Sequence, residues 1–92
     1  MIRSFRHKGL KRLYEEDDKR GINPEHVLKL RNILAILDAA PSIDHVDLPA
    51  FRLHALAGDL VGWWSVTVRA NWRVIFRYDQ PDVFEVDYLD YH

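Results

Sequence analysis

Trp64-Ser65-Val66-Thr67-Val68-Arg69-Ala70-Asn71-Trp72-Arg73-Val74-Ile75-Phe76 is the stretch that decides the fold. On both sides of Ala70-Asn71, apolar and polar side chains alternate, which sends each set to its own face of a β-ribbon. Pairing Val68 with Val74, Val66 with Phe76 and Trp64 with Tyr78 makes one face wholly apolar. The opposite face then pairs Arg69 with Arg73, Thr67 with Ile75 and Ser65 with Arg77. A slip of one residue would set Arg73 against Val68 and mix the faces. The expected turn is Ala70-Asn71-Trp72, with Asn71 the candidate for positive φ.

The same two-residue period continues outward. Gln80-Pro81-Asp82 is a turn signal, and residues 83–89 alternate Phe84, Val86 and Tyr88 in a further strand. Residues 51–54 read as a short strand, followed by the turn Ala57-Gly58-Asp59. Upstream of residue 50 the period changes to about 3.6. Residues 8–18 read as a helix with Leu10, Leu13 and Tyr14 on one side, stopped by Gly21. Asn23 as N-cap and Pro24 at the first helical position open a second helix. Val27, Leu30, Ile33, Leu34 and Leu37 share its apolar face, and Pro41 stops it. Residues 2–5 read as a weak strand. Helices first and an antiparallel meander after them is an α+β order, expected as a single domain over residues 1–92.

The 92 residues carry a formal net charge of -1, which argues against a simple polyanion binder. The charge is unevenly placed. Residues 52–77 hold four arginines and one acid, Asp59, whereas residues 79–90 hold five acids and no Lys or Arg. Cysteine is absent, which excludes disulfide staples, thiolate metal sites and a cysteine nucleophile. The opening MIRSFRHKGLKR lacks the apolar run of a signal peptide, and no stretch approaches the about 18 apolar residues of a spanning helix. A cytoplasmic protein without membrane contact is the expectation.

Three arginines draw attention on the outer sheet face. Arg69 opposite Arg73 is a like-charge pair, destabilising unless an anion lies between them, and Arg77 follows along the same face. Guanidinium is well shaped for phosphate. The alternative is that these side chains splay into water or pair with Glu85 and Asp87. Trp63 on that face has two roles open to it: stacking on a ligand or packing against a loop. As the last residue, His92 would carry a carboxylate beside an imidazole, a setting for general acid or base chemistry. The alternative is a frayed end; Tyr88 and Tyr91 speak for a docked one. His54, beside a turn, is the other acid–base candidate. Asp87, Asp90 and His92 match no standard metal spacing, so no metal and no cofactor are expected.

Several segments together carry a resemblance. MIRSFRHKGLKRLYE at the start, Arg52-Leu-His-Ala-Leu-Ala-Gly-Asp, the central hairpin, and Val86-Asp-Tyr-Leu-Asp-Tyr-His at the end resemble the HigB branch of the RelE-like toxins. The resemblance implies two helices packed on one face of a twisted, mainly antiparallel sheet. It implies a ribosome-dependent mRNA endonuclease that works without a metal, neutralised by a HigA-type helix-turn-helix antitoxin. Operator DNA would be met only through that antitoxin. Carried over, Arg73 is a phosphate ligand, Tyr91 and His92 are active-site side chains, and His54 is their neighbour. Asn71 at the hairpin tip contacts RNA or merely shapes the turn; Arg69, Arg77 and Trp63 complete the RNA-binding candidates. Two positions depart from the pattern: Ala57 and Thr67 stand where many relatives carry Lys and Arg. A different class remains open, a non-catalytic nucleic-acid-binding domain or a gyrase-inhibiting toxin on the same fold.

Overall fold

The computed structural model describes residues 1–91. Helix α1 spans Lys8–Glu16 and α2 spans Val27–Ala39. Strands β1 (His54–Ala55), β2 (Trp63–Arg69), β3 (Trp72–Asp79) and β4 (Asp82–Asp90) follow, forming an antiparallel meander in that order. Leu10, Leu13, Leu30, Ile33 and Leu37 from the helices share one buried cluster with Val66, Val74, Phe76, Val83 and Val86 from the sheet. Each such side chain contributes about 1.5–3 kcal/mol on leaving water. The core therefore lies between the helices and one sheet face, and the other face remains for a site.

Local chemistry sets the ends of the helices. The His7 ring opens α1, its Nδ1 accepting the Leu10 N–H at 3.1 Å. The helix stops two residues short of the expected end because Asp17 takes a left-handed conformation with φ 53°. Gly9 and Gly21 then touch backbone to backbone: a Cβ on Gly9 would sit 2.7 Å from the Gly21 carbonyl oxygen. Asn23 caps the second helical segment as expected, accepting from the Glu25 N–H at 3.0 Å, but Pro24–His26 is a 3₁₀ turn leading into α2.

The hairpin keeps its predicted faces and corrects its predicted partners. Val66 faces Val74, Trp64 faces Phe76, and Thr67 faces Arg73. A bulge between Thr67 and Arg69 takes up one residue of β2, so the connection narrows to Ala70-Asn71. Positive φ falls on Ala70, at 51°, not on Asn71. Arg69 consequently pairs with Trp72 and not with Arg73. The strand expected over residues 51–54 shrinks to His54–Ala55. Arg52, with φ 49°, breaks the run, while Phe51 turns into the core at 1% exposure. Residues 2–5 make only two isolated parallel bridges to β4, through Ile2 and Phe5. The β4 backbone bulges beside them, where Glu85 has φ 55° and its N–H meets Ser4 Oγ.

Candidate active site

On the sheet face away from the helices lies a cleft of about 400 Å³. Alternation along β2 and β3 builds its floor: Ser65 and Thr67 point outward from β2, and Arg73 points outward from β3 beside Thr67. Strand β1 adds His54, whose backbone partner is Ser65. Arg52 and Leu56 flank it, and Tyr91 closes the far side. Tyr91 is held there by its N–H, which donates to the Asn71 carbonyl at 2.8 Å. The hairpin tip and the end of β4 are thus tied together by backbone.

Arg73 is half-buried, and one of its nitrogens is already committed. Nη1 donates to the Ala70 carbonyl at 2.6 Å and to the Trp72 carbonyl at 3.1 Å. Those bonds fix the guanidinium against the turn and leave its other nitrogens without a partner among the described residues. Arg52 makes no hydrogen bond or ion pair among the described residues. Among the described residues no Asp or Glu lines the cleft. It therefore offers two cations, an imidazole, two aliphatic hydroxyls and a phenol, a set suited to a phosphodiester.

The candidates fall into two groups. His54, Arg73 and Tyr91 come together in the cleft, with Asn71 at its edge through its carbonyl. Arg69, Arg77 and Trp63 do not line it. Arg69 reaches Glu25 at 3.2 Å, so the anion expected between Arg69 and Arg73 loses its geometric basis. Arg77 pairs with Glu85 at 3.4 Å and lies over the Phe84 ring. Trp63 is 8% exposed beneath the Arg6 guanidinium, which is the packing role and leaves no ring face to stack on RNA. His92 lies outside the described residues, and with it one member of the Asp87, Asp90 and His92 set considered for a metal. Among the described residues no group of three or more His, Asp or Glu could hold a metal ion.

Arg52, Ser65 and Thr67 went unnamed as site residues. The outward phase of β2 could have found the two hydroxyls. Nothing in the sequence announces Arg52, because its place depends on a left-handed backbone. A wider groove of about 510 Å³ runs along residues 19–31. Two of its three cations are neutralised nearby, Arg20 by Asp18 and Arg31 by Asp17, and no histidine or tyrosine among the described residues lines it. No helix among the described residues is long and apolar enough to cross a membrane.

The sequence profile for the RelE-like toxin of the type II toxin-antitoxin system HigB matches residues 3–92. The chain belongs to the HigB-like toxin family. Two curated relatives agree. An "Endoribonuclease HigB" of Proteus vulgaris is 41% identical over 92 residues, covering the whole of both chains. A "Toxin HigB-1" of Vibrio cholerae serotype O1 is 33% identical over 94 residues, covering all of this chain and 98% of the relative. Among solved structures, a histidine-to-glutamine mutant of YafQ from E. coli superposes with a TM-score of 0.58 at 17% identity, covering 92% of this chain and 86% of YafQ. A YoeB/ParE toxin from Agrobacterium tumefaciens gives 0.58 at 15%, covering 96% of each. These structures bear out the RelE-like fold expected for the HigB-like toxin family.

Proposed function

We propose that this chain is the toxin of a type II toxin-antitoxin pair and an endoribonuclease that stops translation by cutting messenger RNA. The observation that carries the reading is the cleft in which Arg73, His54 and Tyr91 meet, lined by no Asp or Glu among the described residues. The full-length relative from Proteus vulgaris named as an endoribonuclease supports it.

RNA brings its own nucleophile. A base takes the proton of the 2′-hydroxyl, and O2′ attacks the adjacent phosphorus. The P–O5′ bond breaks, and the leaving oxygen takes up a proton. The products are a 2′,3′-cyclic phosphate and a 5′-hydroxyl, and water enters no bond. Arg73 stabilises the charge of the phosphorane with the nitrogens that the turn does not occupy. Tyr91 orients the phosphate or stacks on a base. We assign proton transfer to His92, the residue after Tyr91, with His54 as the second imidazole. Each proton-transfer role is worth about 10²–10⁴-fold. So small a set of groups leaves much of the rate to positioning, which the ribosomal A site would supply. The toxin would act in the cytoplasm and be held in check by a HigA-type helix-turn-helix antitoxin.

Mapping RNA ends after brief induction tests this. The parent should produce new cuts within coding regions, with 2′,3′-cyclic phosphate and 5′-hydroxyl ends. Arg73→Ala should reduce them about 10²–10³-fold at unchanged abundance of folded protein. Growth arrest without such cuts would favour the gyrase-inhibiting class instead.

A further inference from the structure

Of the nine arginines in the chain, six reach a carboxylate among the described residues: Arg3, Arg6, Arg20, Arg31, Arg69 and Arg77. Both cleft arginines, Arg52 and Arg73, fall outside that group. Two cations with no carboxylate partner among the described residues share this cleft and repel each other. A bound polyanion would relieve that repulsion.

The backbone puts the two abreast. The Phe51 carbonyl accepts the Thr67 N–H at 2.7 Å, and the Phe51 ring is anchored in the core. Thr67 in turn faces Arg73 across the β2–β3 ladder. Residue 52 therefore leaves the sheet at the level of Thr67 and Arg73. Its left-handed turn is a conformation that an arginine adopts only when its surroundings impose it. The two cations differ in depth: Arg73 is half-buried and pinned at the turn, while Arg52 is exposed with its fork uncommitted.

We propose that Arg52 is a second phosphate ligand of this site, gripping the phosphate next to the one that Arg73 holds for cleavage. The assignment rests on the endoribonuclease reading and extends it. The inner arginine serves the reacting phosphate. The outer one fixes the strand across the cleft, and so acts on binding more than on the chemical step.

Arg52→Gly is an informative variant, because glycine accepts the left-handed φ and removes only the cation. Two measurements separate the proposal from the reading beneath it. The first is affinity for a single-stranded, 2′-O-methylated hexaribonucleotide, which cannot be cut, over a range of salt. Arg52→Gly should weaken binding about tenfold and lower the salt slope by about 0.7, with melting temperature equal to or above the parent's. Arg52→Lys should restore the slope but not the full affinity. The second is cleavage of message on translating ribosomes, where KM should rise with kcat within about threefold. An unchanged slope, no salt-dependent affinity in the parent, or a fall in kcat at constant KM overturns the assignment to Arg52. A parent that binds the oligomer but never cuts RNA, with the slope still reduced in Arg52→Gly, would overturn the nuclease reading and leave this anion site standing.

Discussion

His7 shows how much a single ring does at the residue scale. Its Nδ1 accepts the Leu10 N–H and so occupies a helix N-cap, a place usually held by Ser, Thr, Asp or Asn. Its edge meets the Tyr88 ring at 5.3 Å. Burial lowers its pKa, Arg12 adds to the effect, and Asp87 opposes it. The cap requires the neutral ring, because a protonated Nδ1 cannot accept. With the folded pKa depressed, the stabilisation is complete above about pH 6.5 and fades as pH falls through the folded value. His7→Ala should cost about 1 kcal/mol at neutral pH. His7→Asn keeps an acceptor that does not titrate. Its melting temperature should fall less than the parent's between pH 7 and pH 5 by thermal melts in matched buffers. Parallel curves for parent and His7→Asn would remove the titrating cap.

At the scale of elements, the β2–β3 hairpin separates what alternation can tell from what it cannot. Two registers that differ by two residues bury the same side chains, so the apolar face of Trp64, Val66 and Val74 was legible and its partners were not. Turn geometry decided between them. The two-residue loop puts Ala70 at φ 51°, and the bulge in β2 absorbs the extra residue. Neither an alanine at positive φ nor a bulge leaves a sequence signal. An L-residue there stores about 1–2 kcal/mol. Ala70→Gly should therefore stabilise the protein by about 1 kcal/mol, raising the melting temperature by about 4–8 °C for a chain of this size. The Ala70 carbonyl still accepts from Arg73, so cleavage should persist. A lower melting point in Ala70→Gly would contradict the strained turn. The shortened β1 has the same kind of cause: Arg52 in a left-handed conformation ends a strand that its side-chain pattern would have continued.

Across the whole molecule, the site was legible where alternation and resemblance pointed to the same residue, as at Arg73, and illegible where long-range pairing decided. Arg69 shares a face with Arg73 in sequence but is drawn off by Glu25, which lies 44 positions away. Asp38 is another such long-range decision, and it joins three parts of the fold. From α2 it accepts the Ile2 N–H at 3.0 Å beside β4 and the Tyr14 hydroxyl of α1 at 2.7 Å. Burial alone would raise its pKa. The bonds from Ile2 and Tyr14, with the nearby terminal ammonium, outweigh burial and hold the carboxyl below its ordinary range. The same bond pushes the Tyr14 hydroxyl up to about 12. A depressed carboxylate contributes in full above about pH 4 and loses its contribution as pH falls through the folded value. Asp38→Asn should thus cost about 1 kcal/mol at pH 7, after allowing for screening by water at a partly exposed site. It should cost progressively less toward pH 3, because the parent surrenders the same interaction there. Urea titrations of both proteins from pH 7 to pH 3 measure the difference directly. The two stability curves should converge on the acid side; a gap that stays constant would mean that the charge on Asp38 does not hold the amino-terminal segment and α1 to α2.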